Sequence, residues 1–156
     1  MENFLYDYIV YSDGGYSIKH NVGAFAFVIV NNNEEVVFRY AKKIENETNN
    51  RAELKGIIAG LHYLPKDAKY IQVVSDSQYA LNTCSGLWGR NANQDLFPIH
   101  DKIVNERGLK VEYKWVKGHN GNLFNEMCDE MCNRVSGVDL NAEYERYRNK
   151  KVNNKS

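Results

Sequence analysis

The spacing of apolar and polar positions changes period near residue 48. Before it, Tyr6 to Asp13 is β-branched and aromatic, Gly23 to Val30 is almost wholly apolar, and Glu35 to Lys42 is a third extended stretch. Gly14-Gly15 and Asn31 to Asn33 read as breaks between them, so the short links predict an antiparallel meander. After it, Leu54, Ile57, Ile58, Leu61 and Leu64 recur at helical spacing and stop at Pro65. Tyr70 to Ser75 is a short apolar strand. Ser77 to about Cys84 is a short helix, and Leu96, Ile99, Ile103 and Val104 suggest another, with Pro98 tolerable only in its first turn. Lys110 to Val116 alternates as a strand, Lys117 to Gly121 is a glycine loop, and Phe124, Met127, Cys128, Met131, Cys132 and Val135 share one helical face before Gly137. The order β-β-β-α-β-α-α-β-α predicts an α/β fold, in which helical crossovers set the last two strands parallel to a neighbour in a mixed five-stranded sheet.

Length agrees with a single unit. The chain has 156 residues, 43 % of them hydrophobic and 26 % charged, with only two prolines, as expected of one folded domain. Residues 1–137 read as that domain and 138–156 as a polar tail, partly helical or frayed, carrying Arg146, Arg148, Lys150, Lys151 and Lys155. The longest apolar run, Val22 to Val30, is nine residues, about half of what a membrane-spanning helix needs. The N-terminus has no basic start or long apolar middle, and the C-terminus has no lipidation box, so a cytoplasmic location and no membrane partner are expected. Cys84, Cys128 and Cys132 are an odd number in core-like positions and read as buried free thiols. Lys plus Arg and Asp plus Glu both total 20. Zero net charge argues mildly against a nucleic-acid partner unless functional acids cancel a basic surface.

Four acids occupy positions that this architecture brings together: Asp13 and Asp76 at the ends of two strands, and Glu53 and Asp129 bordering the buried faces of two helices. Each also has an ordinary reading. Asp13 precedes a glycine turn, Asp76-Ser77 suits a helix N-cap, Asn50 to Glu53 has capping-box spacing, and Asp129 lies in a polar stretch. Those readings do not explain why an acid falls at both strand ends and both helix edges. Carboxylates brought close raise one another's pKa unless a cation sits among them. Hard oxygen donors suit Mg²⁺ or Mn²⁺, and two such ions about 4 Å apart can activate water and stabilise the leaving oxygen of a phosphodiester. In-line phosphoryl hydrolysis is the predicted reaction.

The strings around these acids resemble a known family. Tyr11-Ser-Asp-Gly-Gly15, Thr48-Asn-Asn-Arg-Ala-Glu-Leu54, Val74-Ser-Asp-Ser-Gln-Tyr79 and Trp115-Val-Lys-Gly-His-Asn-Gly121, followed by Asn125-Glu-Met-Cys-Asp-Glu130, are similar to the successive motifs of type 1 ribonuclease H. They run in the same order over about Tyr6 to Arg134. The resemblance implies the ribonuclease H-like fold and a metal-dependent endonuclease that cleaves the RNA strand of an RNA/DNA hybrid, leaving 5′-phosphate and 3′-hydroxyl ends. It places carboxylate metal ligands for two Mg²⁺ ions, or Mn²⁺, at Asp13, Glu53, Asp76 and Asp129. His119 takes the place of a mobile-loop histidine able to shuttle a proton. Hybrid contacts fall on Thr48, Asn49, Asn50 and Gln78, the backbone around Gly14, and Trp88, for which core packing is a rival reading. His20, His62 and His100 match no motif and read as surface or packing residues.

The departures shape the expectation. Tyr16 to Val22 lacks the Asn-Pro-Gly string common in the family, and between Cys84 and Asp95 there is no room for its lysine-rich helix and loop. This is a short form without the basic protrusion. It would grip a hybrid weakly unless cations cluster on one face, the basic tail contributes, or a replication or polymerase partner tethers it. A monomer is the default. The alternatives are a nuclease of the same fold acting on branched or duplex DNA, and a non-catalytic hybrid-binding module.

Overall fold

The computed structural model describes residues 5–118 and 121–140. Its elements are β1 (Tyr8–Ser17), β2 (Val22–Asn31), β3 (Val36–Ile44), α1 (Asn49–His62), β4 (Tyr70–Ser75), α2 (Gln78–Cys84), α3 (Phe97–Glu106), β5 (Lys110–Trp115) and α4 (Leu123–Ser136). The sheet has five strands in the order β3-β2-β1-β4-β5. β1 pairs antiparallel with β2 and β2 with β3, while β4 is parallel to both β1 and β5. This is the predicted mixed sheet, and strand and helix order agree with the reading from sequence.

β2 explains the two-layered core. Its side chains alternate faces, so Phe27 and Ile29 join α1 residues Leu54, Ile57 and Leu61 on one side, whereas Ala24, Ala26, Val28 and Val30 meet α4 residues Cys128 and Cys132 on the other. Both faces are covered, which is why this strand reads as one apolar run. Leu54, Ile57 and Leu61 are fully buried, each contributing about 1.5–3 kcal/mol through removal from water. The three cysteines are free and buried, as expected.

Gly14 and Gly15 do not end β1, as the sequence pattern suggested; the strand continues to Ser17 and stays paired with β2 throughout. Their role is close approach. A Cβ on Gly14 would lie 2.4 Å from the Ala52 carbonyl carbon, so the missing side chain lets α1 sit directly on the strand. Asp13 is therefore within the strand rather than at its end.

Local signals fix the helix ends. Thr48, not Asn50, is the N-cap of α1, its Oγ1 accepting from the Arg51 N–H at 3.1 Å. Ser77 caps α2 and Asn122 caps α4 in the same way. Pro98 falls in the first turn of α3, and Gly137 closes α4 with φ 80°. Beyond Gly137, Val138 and the buried Leu140 pack on the α4 side of the sheet.

Candidate active site

Strand register brings the acids together. β1 and β4 pair in parallel only as far as Tyr11 opposite Val74, so Asp13 and Asp76 lie two residues past the last paired rung, where the strands part. Open parallel pairs of this kind are where α/β sheets place ligands. Glu53 reaches the same point from the second turn of α1, because Gly14 allows the helix backbone against β1. One oxygen from each of Asp13, Glu53 and Asp76 lies within 4.8 Å of the others. Asp129 of α4 flanks them, lining a recess with Asp13, Asp76, Asn125 and Glu126. All four predicted acids thus converge.

The surroundings hold these groups in place. Gly14 N–H donates to Asp13 Oδ1 at 2.9 Å. The Cys132 thiol points at the Asp13 carbonyl at 3.9 Å, and the Cys128 thiol at the Tyr11 carbonyl at 3.4 Å, tying α4 to β1. Trp115 Nε1 donates to the Asp76 carbonyl at 3.0 Å, and Val116 N–H to the Ser75 carbonyl at 3.0 Å, so β5 fixes the turn that carries Asp76. Asn49 Oδ1 accepts from Tyr16 N–H at 2.7 Å and joins the start of α1 to the end of β1.

Burial, then the charges of Asp76 and Asp129, push the Asp13 carboxyl well above its usual range. Burial and the charges of Asp76 and Asp13 do the same to Glu53. Acids crowded in this way resist ionising unless positive charge joins them. Glu53 Oε1 is buried and has no hydrogen-bond partner among the described residues. Converging carboxylate oxygens with an unused buried acceptor fit a hard divalent cation, and no sulfur or nitrogen ligand belongs to the set.

A cleft of about 870 Å³ opens over the acids. Asn49, Asn50 and Gln78 line it together with Gly14, as the motifs suggested. Thr48 and Trp88 are not among its lining residues; the Thr48 hydroxyl caps α1, and Trp88 is 45 % exposed beyond α2. His119 lies outside the described residues, as does the basic tail from 141 onward. The wall also contains Ser77, Tyr79, Trp115, Lys117, Gly118, Cys132 and Leu140, which the sequence reading did not select. Trp115, Lys117 and Gly118 could have been found, since they share a motif with His119. Ser77 and Tyr79 likewise lie in the string around Asp76, whereas Cys132 reads as a core position and Leu140 as part of the polar tail, and neither carries such a signal.

Fold and site together define a nuclease-like α/β enzyme with a carboxylate centre at the parting of two parallel strands. A sequence model of the RNase H family matches residues 6–136. Over 149 residues the chain is 32 % identical to a ribonuclease H of Treponema denticola, covering 78 % of this chain and 92 % of that protein. It is also 31 % identical over 137 residues to a ribonuclease H of Caldicellulosiruptor saccharolyticus, covering 79 % and 91 %. The solved N-terminal RNase H domain of rv2228c from Mycobacterium tuberculosis, fused to maltose-binding protein, is similar with a TM-score of 0.73 and 22 % identity, covering 91 % of this chain and 99 % of that one. LC11-RNase H1, solved in complex with an RNA/DNA hybrid, has a TM-score of 0.72 at 20 % identity, covering 83 % and 96 %. This chain belongs to the RNase H family, whose members are hydrolases.

Proposed function

We propose that the protein is an endoribonuclease that hydrolyses the RNA strand of RNA/DNA hybrids, leaving 5′-phosphate and 3′-hydroxyl ends, with two Mg²⁺ or Mn²⁺ ions held by Asp13, Glu53, Asp76 and Asp129. The observation that carries this reading is the convergence of Asp13, Glu53 and Asp76 within 4.8 Å at the floor of the cleft. Such ions supply Lewis acidity toward the phosphodiester and the attacking water. The chain's own residues do the positioning. Asp13 is fixed by the Gly14 N–H, and Asp76 by the Trp115 and Val116 contacts to its turn, so the acids need little rearrangement on binding.

Substrate handling falls to the walls. Asn49, Asn50 and Gln78 present amides at the cleft that can bond phosphates, base edges and the 2′-hydroxyls distinguishing RNA from DNA in a shallow minor groove. The backbone around Gly14, which also lines the cleft, is assigned a phosphate contact. Lys117 adds a cation on the rim. His119 is assigned the proton shuttle, taking or delivering a proton near the leaving 3′-oxygen. Thr48 acts through its cap of α1, and Trp88 is assigned a contact to the DNA strand outside the cleft.

A strand-labelled RNA/DNA hybrid, tested beside RNA/RNA and DNA/DNA duplexes with Mg²⁺, Mn²⁺ or EDTA, examines the substrate assignment. Cleavage confined to the RNA strand of the hybrid and abolished by EDTA is expected. Cutting of DNA would overturn the substrate, and an uncut hybrid with either metal would overturn the activity.

A further inference from the structure

We infer that Asn125 is an additional, neutral oxygen donor toward the divalent cation held beside Asp129, an inference that rests on the metal reading above. Asn125 is the third residue of α4, and its backbone N–H is already used by the Asn122 cap at 2.9 Å. Its side chain is a different matter. The residue is 3 % exposed, and its Oδ1 is buried with no hydrogen-bond partner among the described residues. It lines the recess formed with Asp13, Asp76, Glu126 and Asp129.

An acceptor buried in this way loses about 1–3 kcal/mol unless something donates to it. The other side chains around the recess are Asp and Glu, which when ionised only accept. While ionised, none can satisfy the Asn125 oxygen. A small cation in direct contact satisfies it and the carboxylates at once, and amide oxygens are ordinary ligands of hard divalent cations. Spacing gives the same direction. Asn125 and Asp129 are one helical turn apart and share a face of α4, so a group contacting Asp129 from the sheet side also meets Asn125. An amide oxygen adds a donor to this crowd without adding another negative charge, which a fifth carboxylate would do.

The test is Mn²⁺ affinity without nucleic acid, read from the paramagnetic resonance signal of free Mn²⁺, for wild type, Asn125→Leu, Asn125→Ser, Asn125→Asp and Asp13→Asn. Thermal melts of the metal-free proteins accompany it. Asn125→Leu and Asn125→Ser are expected to weaken Mn²⁺ binding about 10- to 100-fold, the usual effect of losing a supporting group around a metal. Metal-free Asn125→Leu should melt no lower than wild type, because an orphaned acceptor has gone. Asn125→Asp, which keeps the oxygen, should retain binding. A folded Leu or Ser variant with wild-type affinity would overturn the inference while the metal reading stands, provided Asp13→Asn loses binding. Wild type that binds no Mn²⁺, or binding unchanged in Asp13→Asn, would overturn the metal reading and this inference with it.

Discussion

The contact between α1 and β1 governs both stability and site geometry, and Gly14→Ala perturbs it directly. The added Cβ would lie 2.4 Å from the Ala52 carbonyl carbon, 2.5 Å from its oxygen and 2.6 Å from the Glu53 nitrogen. All three are backbone atoms and cannot rotate away. The first distance is about 1 Å short of ordinary contact, so the helix must move off the strand by about that much, carrying Glu53 away from Asp13. Overpacking of this kind costs about 1–3 kcal/mol. A displacement near 1 Å at a reacting centre lowers turnover about 100-fold. Gly15→Ala is the matched control, because its Cβ would lie 3.4 Å from the Leu140 side chain, which can adjust. Urea denaturation and hybrid cleavage of the two variants check both figures. Gly14→Ala should unfold at clearly lower urea and lose most activity, while Gly15→Ala stays near wild type. If both behave alike, the close approach of helix and strand does not hold the carboxylates in register.

Other consequences are testable. His100 is buried, with Nδ1 2.8 Å from Asp101 Oδ1 and Nε2 2.5 Å from the Tyr113 hydroxyl, and burial lowers its pKa from 6.5 against the opposing pull of Asp101. The unfolded chain then binds the proton more readily, so this group's contribution to stability is present above pH 6.5 and is lost as pH falls through the lowered value. An NMR titration should find His100 still neutral at a pH where an exposed histidine is half protonated. Arg51 bonds Asp95 through two 2.8 Å contacts and Glu47 through a third. Because Asp95 is exposed, Arg51→Leu should lower the melting temperature modestly, mainly through loss of the contact to the less exposed Glu47. Thermal melts check this, and Arg51→Lys should recover only part of the loss because the two-pronged contact is gone. Mg²⁺ at about 100 times its dissociation constant should stabilise wild type by about 2.7 kcal/mol, a gain that calorimetric melts should find missing in Asp13→Asn.

The sequence carried the element order because period two and period 3.6 are local properties, and β2 declared its burial on both faces by being apolar throughout. The four acids were legible for a related reason: each lies at or near a recognisable boundary in a short string. Gly14-Gly15 misled because glycine has two uses, and only the position of the α1 backbone decides between a turn and a close approach. The same limit hid Cys132 and Leu140, whose place in the cleft depends on how distant elements pack. Long-range polar links were also silent. Arg90 bonds Asp101 through contacts of 2.6 and 3.0 Å while Asp101 meets His100, and no spacing in the chain encodes that cluster. Asn125 stood in a quoted motif, but only its missing partner in the folded protein sets it apart.

The central claim is that the carboxylate centre at the parting of β1 and β4 is where the RNA strand is cut. Binding and single-turnover cleavage of one RNA/DNA hybrid by wild type and Asp13→Asn, in Mg²⁺ and with product ends identified, test it most directly. Wild type should cut only the RNA strand and leave 5′-phosphate and 3′-hydroxyl ends, while Asp13→Asn remains folded, binds the hybrid and leaves it whole. Cleavage by Asp13→Asn at a rate near wild type would contradict the account.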